Sequence, residues 1–250
     1  MVITTLLLLA VLRERFGWRQ VTAWLVCGAF LVIDVGFLGA NLLKVPTGGW
    51  FPLIIGAGAF TLLTTWRTGR RIVRERIVIG QVPLEQFIAG ITTGPESPMR
   101  VPGTAVFLTS LVGRTPPAMD ANLRHNAVLH RRSLVVSVAT DARPHVPPSD
   151  RADVVGFGHG IYKIVLRYGF AEEVDVPRGL TEGAAERLAF DRGSATYFLG
   201  SESLVVTATP GMARWREHLF ALLSRNATSA ANYFGLPPDR TITIGSQVEL

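Results

Sequence analysis

Two long apolar runs lie back to back near the start of this chain, and no other feature restricts its fold as strongly. Val21 to Leu43 (VTAWLVCGAFLVIDVGFLGANLL) is 23 residues with a single charge, Asp34, and Val45 to Trp66 (VPTGGWFPLIIGAGAFTLLTTW) is 22 residues with none. A spanning helix needs roughly 20 predominantly apolar residues, so each run is long enough to cross a bilayer with some tilt. Asp34 does not prevent insertion. The twelve Leu, Ile, Val and Phe of the first run contribute about −0.3 to −0.6 kcal/mol each, about −5 in all, against about +3 for an acid at the helix centre. Pro46, Gly48 and Gly49 supply a turn between the spans, and Trp50 and Trp66 bracket the second as interfacial aromatics do. A hydrophobic content of 48% and a mean hydropathy of +0.31 fit a chain partly seated in lipid.

Ahead of these runs, Met1 to Leu12 (MVITTLLLLAVL) is 12 uncharged residues, too short to cross. A signal peptide carries its basic residues before the apolar stretch; here Arg13 and Arg15 follow it. The segment reads as the tail of a helix whose beginning is missing. Arg13, Arg15 and Arg19 precede the first span, Lys44 alone lies between the two, and Arg67, Arg70, Arg71, Arg74 and Arg76 follow the second. The positive-inside rule then places both ends in the cytoplasm and the Lys44 turn outside. Residues 77–250 carry sixteen basic and sixteen acidic side chains, so the formal charge of +6 resides in short runs beside the spans. A neutral polar segment disfavours nucleic acid as a partner. Cys27 is the one cysteine, which excludes an intrachain disulfide and a cysteine-based zinc site.

After the Arg-rich exit helix, Pro83, Gly90, Gly94, Pro95 and Pro98 mark a linker with room for one short helix, LEQFIAG. Strand-like runs then occur at Thr104 to Thr109, Leu134 to Ala139, Ile161 to Tyr168, Thr196 to Leu199, Leu204 to Thr207 and Thr241 to Ile244. Helix-length stretches separate them at Pro117 to His130, about Pro177 to Phe190, and Met212 to Phe234; in the last, Met212, Trp215, Leu219, Leu222 and Leu223 form an apolar stripe. The expected architecture is mixed: transmembrane helices over residues 1–66 (an incomplete one at 1–12, then 21–43 and 45–66), a basic juxtamembrane helix and linker over 67–97, and a cytosolic α/β domain over 98–250.

Little in this pattern points to catalysis. Gly156, Gly158 and Gly160 (VVGFGHGIYK) have G-x-G-x-G spacing with a β-like run after it, which fits a hairpin or bulge better than a dinucleotide loop. His125 and His130 are five apart, about 140° around a helix, and cannot share a face as a metal pair does; with Arg131 and Arg132, His130 reads as a helix C-terminus. No nucleophile elbow or Ser/His/Asp set stands out, so the chain reads as no enzyme and calls for no cofactor. Two features remain. Asp34, an ionisable group inside a span, is a weak candidate for ion or proton contact or a buried hydrogen-bond partner. The cluster Arg67, Arg70, Arg71, Arg74 and Arg76 is a stop-transfer and topology signal that also suits anionic lipid headgroups.

Several stretches resemble a known family. KVPTGGWFPLIIG (44–56) and TTWRTGRR (64–71) are similar to the last transmembrane helix of the KUP-type potassium uptake permeases, and GANLL (39–43) after an intramembrane Asp is similar to the helix before it. RVPGTAVFLTS (100–110), HNAVLHRRSLVVSV (125–138), RYGF (167–170), YFLGSESLV (197–205), RNA (225–227), LPPDR (236–240) and IGSQVEL (244–250) resemble that family's cytosolic domain, in the family's order; Arg131 stands where members commonly carry Glu. The resemblance implies the C-terminal part of a multi-pass, proton-coupled potassium importer of the plasma membrane. It also implies that the ion-handling residues sit on earlier helices absent from this chain, and that membrane lipids, those helices and possible homodimerisation supply its partners. The competing expectation is a free-standing two-span anchor carrying a cytosolic nucleotide- or partner-binding module.

Overall fold

In the computed structural model, residues 1–93, 98–188, 190–205 and 211–249 are described. The chain divides into two compact units, Met1–Thr64 and Thr65–Leu250.

The first unit is helical. Helix α1 (Val2–Glu14) packs along α2 (Gln20–Leu42), and a wide turn over Val45–Gly49 leads into α3 (Trp50–Gly80). Gly48 sits in that turn at φ 141°, a conformation that side chains disfavour. The α1–α2 contact buries Leu9, Ala23 and Cys27, with Leu12 against them. Little else in the unit is covered: Val32 is 76% exposed and Leu43 82%. A helix apolar all round needs an apolar surrounding, and among the described residues α2 and the helix that follows it are the two long and apolar enough to cross a membrane. A Cβ added at Gly28, Gly36, Gly39, Gly56 or Gly58 would meet nothing within 4 Å. These glycines therefore serve no close approach between this chain's own described helices.

The second unit begins with the end of α3 and is built on one six-stranded sheet: β1 (Met99–Leu108), β2 (Val128–Asp141), β3 (Ala152–Gly156), β4 (Ile161–Gly169), β5 (Ala195–Val205) and β6 (Thr241–Glu249). The order is β3-β4-β2-β1-β5-β6, parallel throughout except for the β3–β4 hairpin. Strands buried on both faces need continuous apolar runs, as in AVFL of β1 and LVVSV of β2. Alternate residues divide between two cores. Val106, Leu108, Val136 and Leu166 lie under α6 (Val176–Leu188) through Val176, Leu180 and Ala184. Ala105, Phe107 and Val135 lie under α4 (Leu84–Thr93) and α5 (Pro117–Asn126) through Leu84, Ile88 and Met119. Phe107 and Phe198 stack across the β1–β5 pair with centroids 4.8 Å apart.

The local differences from the sequence expectations have physical causes. Helix α5 stops at Asn126 because Ala127 adopts the left-handed conformation (φ 55°), which places His130 in β2 and not at a helix end. The expected helix from Met212 to Phe234 breaks into α7 (Arg214–Arg225) and α8 (Ala230–Tyr233), the second started by the Ser229 hydroxyl accepting from the Asn232 amide at 3.3 Å. The runs around 196–199 and 204–205 are one strand, because β6 pairs along β5 through the polar Ser201-Glu202-Ser203 stretch; residues 206–207 of the second run lie outside the described residues. Helix α7 also faces the other way round. Phe220 and Glu217 are buried, whereas Trp215 and Leu222 of the expected stripe are 58% and 57% exposed.

Candidate functional site

Asp34 is one of the few buried residues of α2, at 6% exposure. Its Oδ2 accepts a hydrogen bond from the Thr5 hydroxyl of α1 at 2.5 Å. The spacing explains the pair. Thr5 and Leu9 lie one turn apart on one face of α1, Cys27 and Asp34 two turns apart on one face of α2, and packing Leu9 on Cys27 brings the polar pair together. A carboxylate away from water gains most from a hydroxyl donor that replaces hydration. Sequence reading singled out Asp34 and missed Thr5, whose signal was its place four residues before Leu9.

The second candidate lies on the stretch of α3 that follows its apolar part. Phe220 of α7 packs against Val73, Trp66 and Ile77, and Gly69 gives the ring its place: a Cβ there would lie 2.4 Å from Phe220 Cδ2. Arg216 donates from Nε to Thr65 Oγ1 at 3.0 Å and from Nη2 to Thr68 Oγ1 at 3.5 Å. Another face of the same helix carries the arginines. Arg67, Arg70, Arg71 and Arg74 line a cleft of about 390 Å³ whose far wall is Ser110 and Leu111. Arg76 does not line it. The Arg70 guanidinium lies 6.0 Å from the centre of the Trp66 ring. Among the described residues one carboxylate is within ion-pair range of the four, Glu75 at 3.9 Å from Arg71, with both side chains exposed. The spacing makes four like-charge pairs one turn apart, each costing about 0.2–0.5 kcal/mol, which a single exposed ion pair offsets only in part.

The wall opposite the arginines has a definite place in the sheet. From β1 the chain crosses to β2 on one side, and from β5 it continues to β6 on the other. Connections diverging from neighbouring parallel strands open a crevice at their carboxyl ends, where open α/β sheets bind ligands. Thr109, Ser110 and Leu111 leave β1 at that point; the Thr109 amide is tied to Val136 O at 2.9 Å and its hydroxyl accepts from the Leu111 amide at 3.2 Å.

Other chemistry-bearing residues are engaged structurally. Arg151, just before β3, makes a two-pronged contact with Glu172 after β4 (Nη2–Oε1 2.7 Å, Nη1–Oε2 2.9 Å) and lies over the Tyr168 ring at 4.7 Å. That guanidinium, helped by the Gly169 and Val146 amides, holds the Glu172 carboxyl down at about 2, while burial pushes the Tyr168 hydroxyl up to about 12. His125 lies in the last turn of α5, and His130 in β2 turns its ring edge to Phe198 (centroids 5.8 Å apart), where burial lowers its pKa. The two histidines share no site. Gly156 to Gly160 form the β3–β4 hairpin turn, with Gly158, His159 and Gly160 all at positive φ.

Two helices long and apolar enough to cross a membrane, joined to an α/β unit with a mixed six-stranded sheet, define the class as a membrane protein with an α/β domain. Comparison of the sequence with known proteins narrows the class. Residues 1–71 match the model for the K+ potassium transporter integral membrane domain, and residues 102–250 match that for the K+ potassium transporter C-terminal domain. The chain belongs to the K+ potassium transporter family. It is 44% identical over all of its 250 residues to a probable potassium transport system protein Kup of Myxococcus xanthus, covering 38% of that protein. It is 45% identical to one of Aromatoleum aromaticum (100% of this chain, 39% of that protein) and 40% identical to a Kup 1 protein of Geobacter sulfurreducens (100% and 40%). The chain thus spans about two-fifths of the length of these relatives. No solved structure matches it.

Proposed function

We propose that the chain works as the C-terminal part of a proton-coupled potassium uptake permease of the plasma membrane. The observation that carries this reading is the collinear match of the whole chain to Kup proteins more than twice its length. In this reading α2 and α3 are the last two spans and buttress a transport core formed by helices outside this chain. The Arg flanks face the cytoplasm, the turn at Lys44 faces outward, and residues 98–250 form a cytosolic regulatory or dimer-stabilising domain. The exposed apolar surface of α2 and the uncontacted Gly28, Gly36 and Gly39 are surfaces for those further helices. Ion passage needs a polar path whose groups replace hydration, and one Asp–Thr pair does not enclose one.

The test is growth of a potassium-uptake-deficient strain on limiting potassium, with insertion of each protein verified separately. The chain alone is expected not to rescue, and a fusion to the preceding helices of a Kup relative is expected to rescue. Rescue by the chain alone that vanished in Asp34→Asn would overturn the reading.

A further inference from the structure

We propose that the cleft between the exit segment of α3 and the loop after β1 binds a phosphate group, supplied by the headgroup of an anionic phospholipid. A topology signal needs only positive charge near the end of a span. The structure shows something more selective: of five arginines within ten residues, four line one cleft and Arg76 does not. Among the described residues, one exposed carboxylate, Glu75, answers their mutual repulsion. Guanidinium groups present planar, two-pronged donor sets that match phosphate oxygens, and four arginines lining one cleft supply the donors an anion site needs.

The position of the cleft selects the source of the phosphate. The arginines begin directly after the uncharged run that ends at Trp66, and an interfacial Trp marks the headgroup level. On a helix, Arg67 to Arg74 covers about 10 Å, against roughly 6 Å for the polar zone on each side of the hydrocarbon. Arg67, Arg70 and Arg71 thus fall at headgroup depth when the span is seated. The other wall fits the same ligand: Ser110 is exposed and offers a hydroxyl, and Leu111 adds an apolar surface for the glycerol end of the lipid. Because that wall is the loop at the carboxyl end of β1, a bound lipid would touch the α/β unit as well as the helix. This inference does not depend on transport.

The experiment uses the full chain in mild nonionic detergent, offered equal amounts of phosphatidylglycerol and phosphatidylcholine, with bound lipids counted by native mass spectrometry. A parallel arm measures binding of inorganic phosphate by calorimetry in lipid-free detergent. Wild type is expected to retain phosphatidylglycerol preferentially. Arg70→Gln/Arg74→Gln is expected to lower that affinity about 30-fold, the effect of removing two near-surface charges. Arg76→Gln is expected to leave it unchanged. Ser110→Glu places a carboxylate in the cleft from the opposite wall without altering the helix and is expected to weaken retention at least tenfold. Circular dichroism of each variant verifies the fold. Equal losses in Arg76→Gln and in the cleft variants, or no effect of Ser110→Glu, would overturn the cleft as the site. Tight binding of inorganic phosphate with no preference for phosphatidylglycerol would overturn the lipid as its source.

Discussion

Gly69 offers the sharpest test of how the exit segment and α7 fit together. A Cβ built there lies 2.4 to 2.6 Å from three atoms of the Phe220 ring, where ordinary contact begins near 3.4 Å, so the ring must retreat by about 1 Å. Phe220 is 1% exposed and held by Val73, Trp66 and Ile77, with its ring centroid 5.6 Å from that of Trp66. Overpacking of this kind costs about 1–3 kcal/mol, while Ala gains about 1 kcal/mol over Gly as a helix residue. The net expectation for Gly69→Ala is a loss of about 0–2 kcal/mol. Phe220→Ala removes the obstacle and on its own costs about 3–5 kcal/mol. In that background Gly69→Ala should become stabilising by about 1 kcal/mol, because only the helix term remains. A four-variant cycle on the full chain in detergent, followed by thermal unfolding in the near-ultraviolet signal of Trp66 and Trp215, reads the coupling directly. An effect of Gly69→Ala with the same sign and size in both backgrounds would refute the contact.

Three further predictions follow from other parts of the structure. Cysteines at exposed Thr47 and Ser149 in a Cys27→Ala background should label from opposite sides of intact cells, Thr47 from outside; labelling of Ser149 by an impermeant reagent without permeabilisation would reverse the proposed orientation. Glu172 titrates at about 2 when folded against an ordinary 4.5, so its contribution is complete above about pH 4.5 and fades as the pH falls towards 2; Glu172→Gln should lower the melting temperature at pH 7 and flatten its fall below pH 4.5, and an unchanged acid profile would count against the Arg151 pair. At Gly160 (φ 74°) a Cβ would lie 1.9 Å from Arg131 O, so Gly160→Ala should cost about 3 kcal/mol or more and loosen the β3–β4 hairpin, seen as faster amide exchange at Ser133, whose amide donates to Gly160 O at 2.8 Å.

The elements most legible in the sequence were those whose burial is complete. The apolar spans and the AVFL and LVVSV strands declare themselves because lipid on one side, or helices on both, leave no room for polar positions. Strand β3 was missed because it is a short edge strand, half exposed, that pairs on one side only. The end of α5 was missed because Ala127, and not a glycine, takes the left-handed cap. Site residues followed the same division. Asp34 and the arginines are visible as charges in or beside apolar runs, whereas Thr5 and Ser110 are ordinary residues until packing places them opposite those charges. Only the tertiary structure shows which four of the five arginines line one cleft.

That selection follows from the way residues 65–77 are shared among neighbours. At about 100° per residue, Thr65, Thr68 and Gly69 fall on the side taken by Arg216 and Phe220, while Arg67, Arg70, Arg71 and Arg74 sweep the side that meets Ser110 and Leu111. Val73 and Trp66 lie between the two sides and contribute to both. A shift of one residue in register would turn Gly69 from Phe220 and put Thr68 or Arg70 in its place, where neither shape nor charge fits a ring that is 1% exposed. The Phe220 contact therefore fixes the rotation of the exit segment relative to α7, and with that rotation it fixes which arginines line the cleft. An anion held there adds its binding free energy only to the rotational state in which the arginines converge, so it must favour the same seating of Phe220 on Gly69.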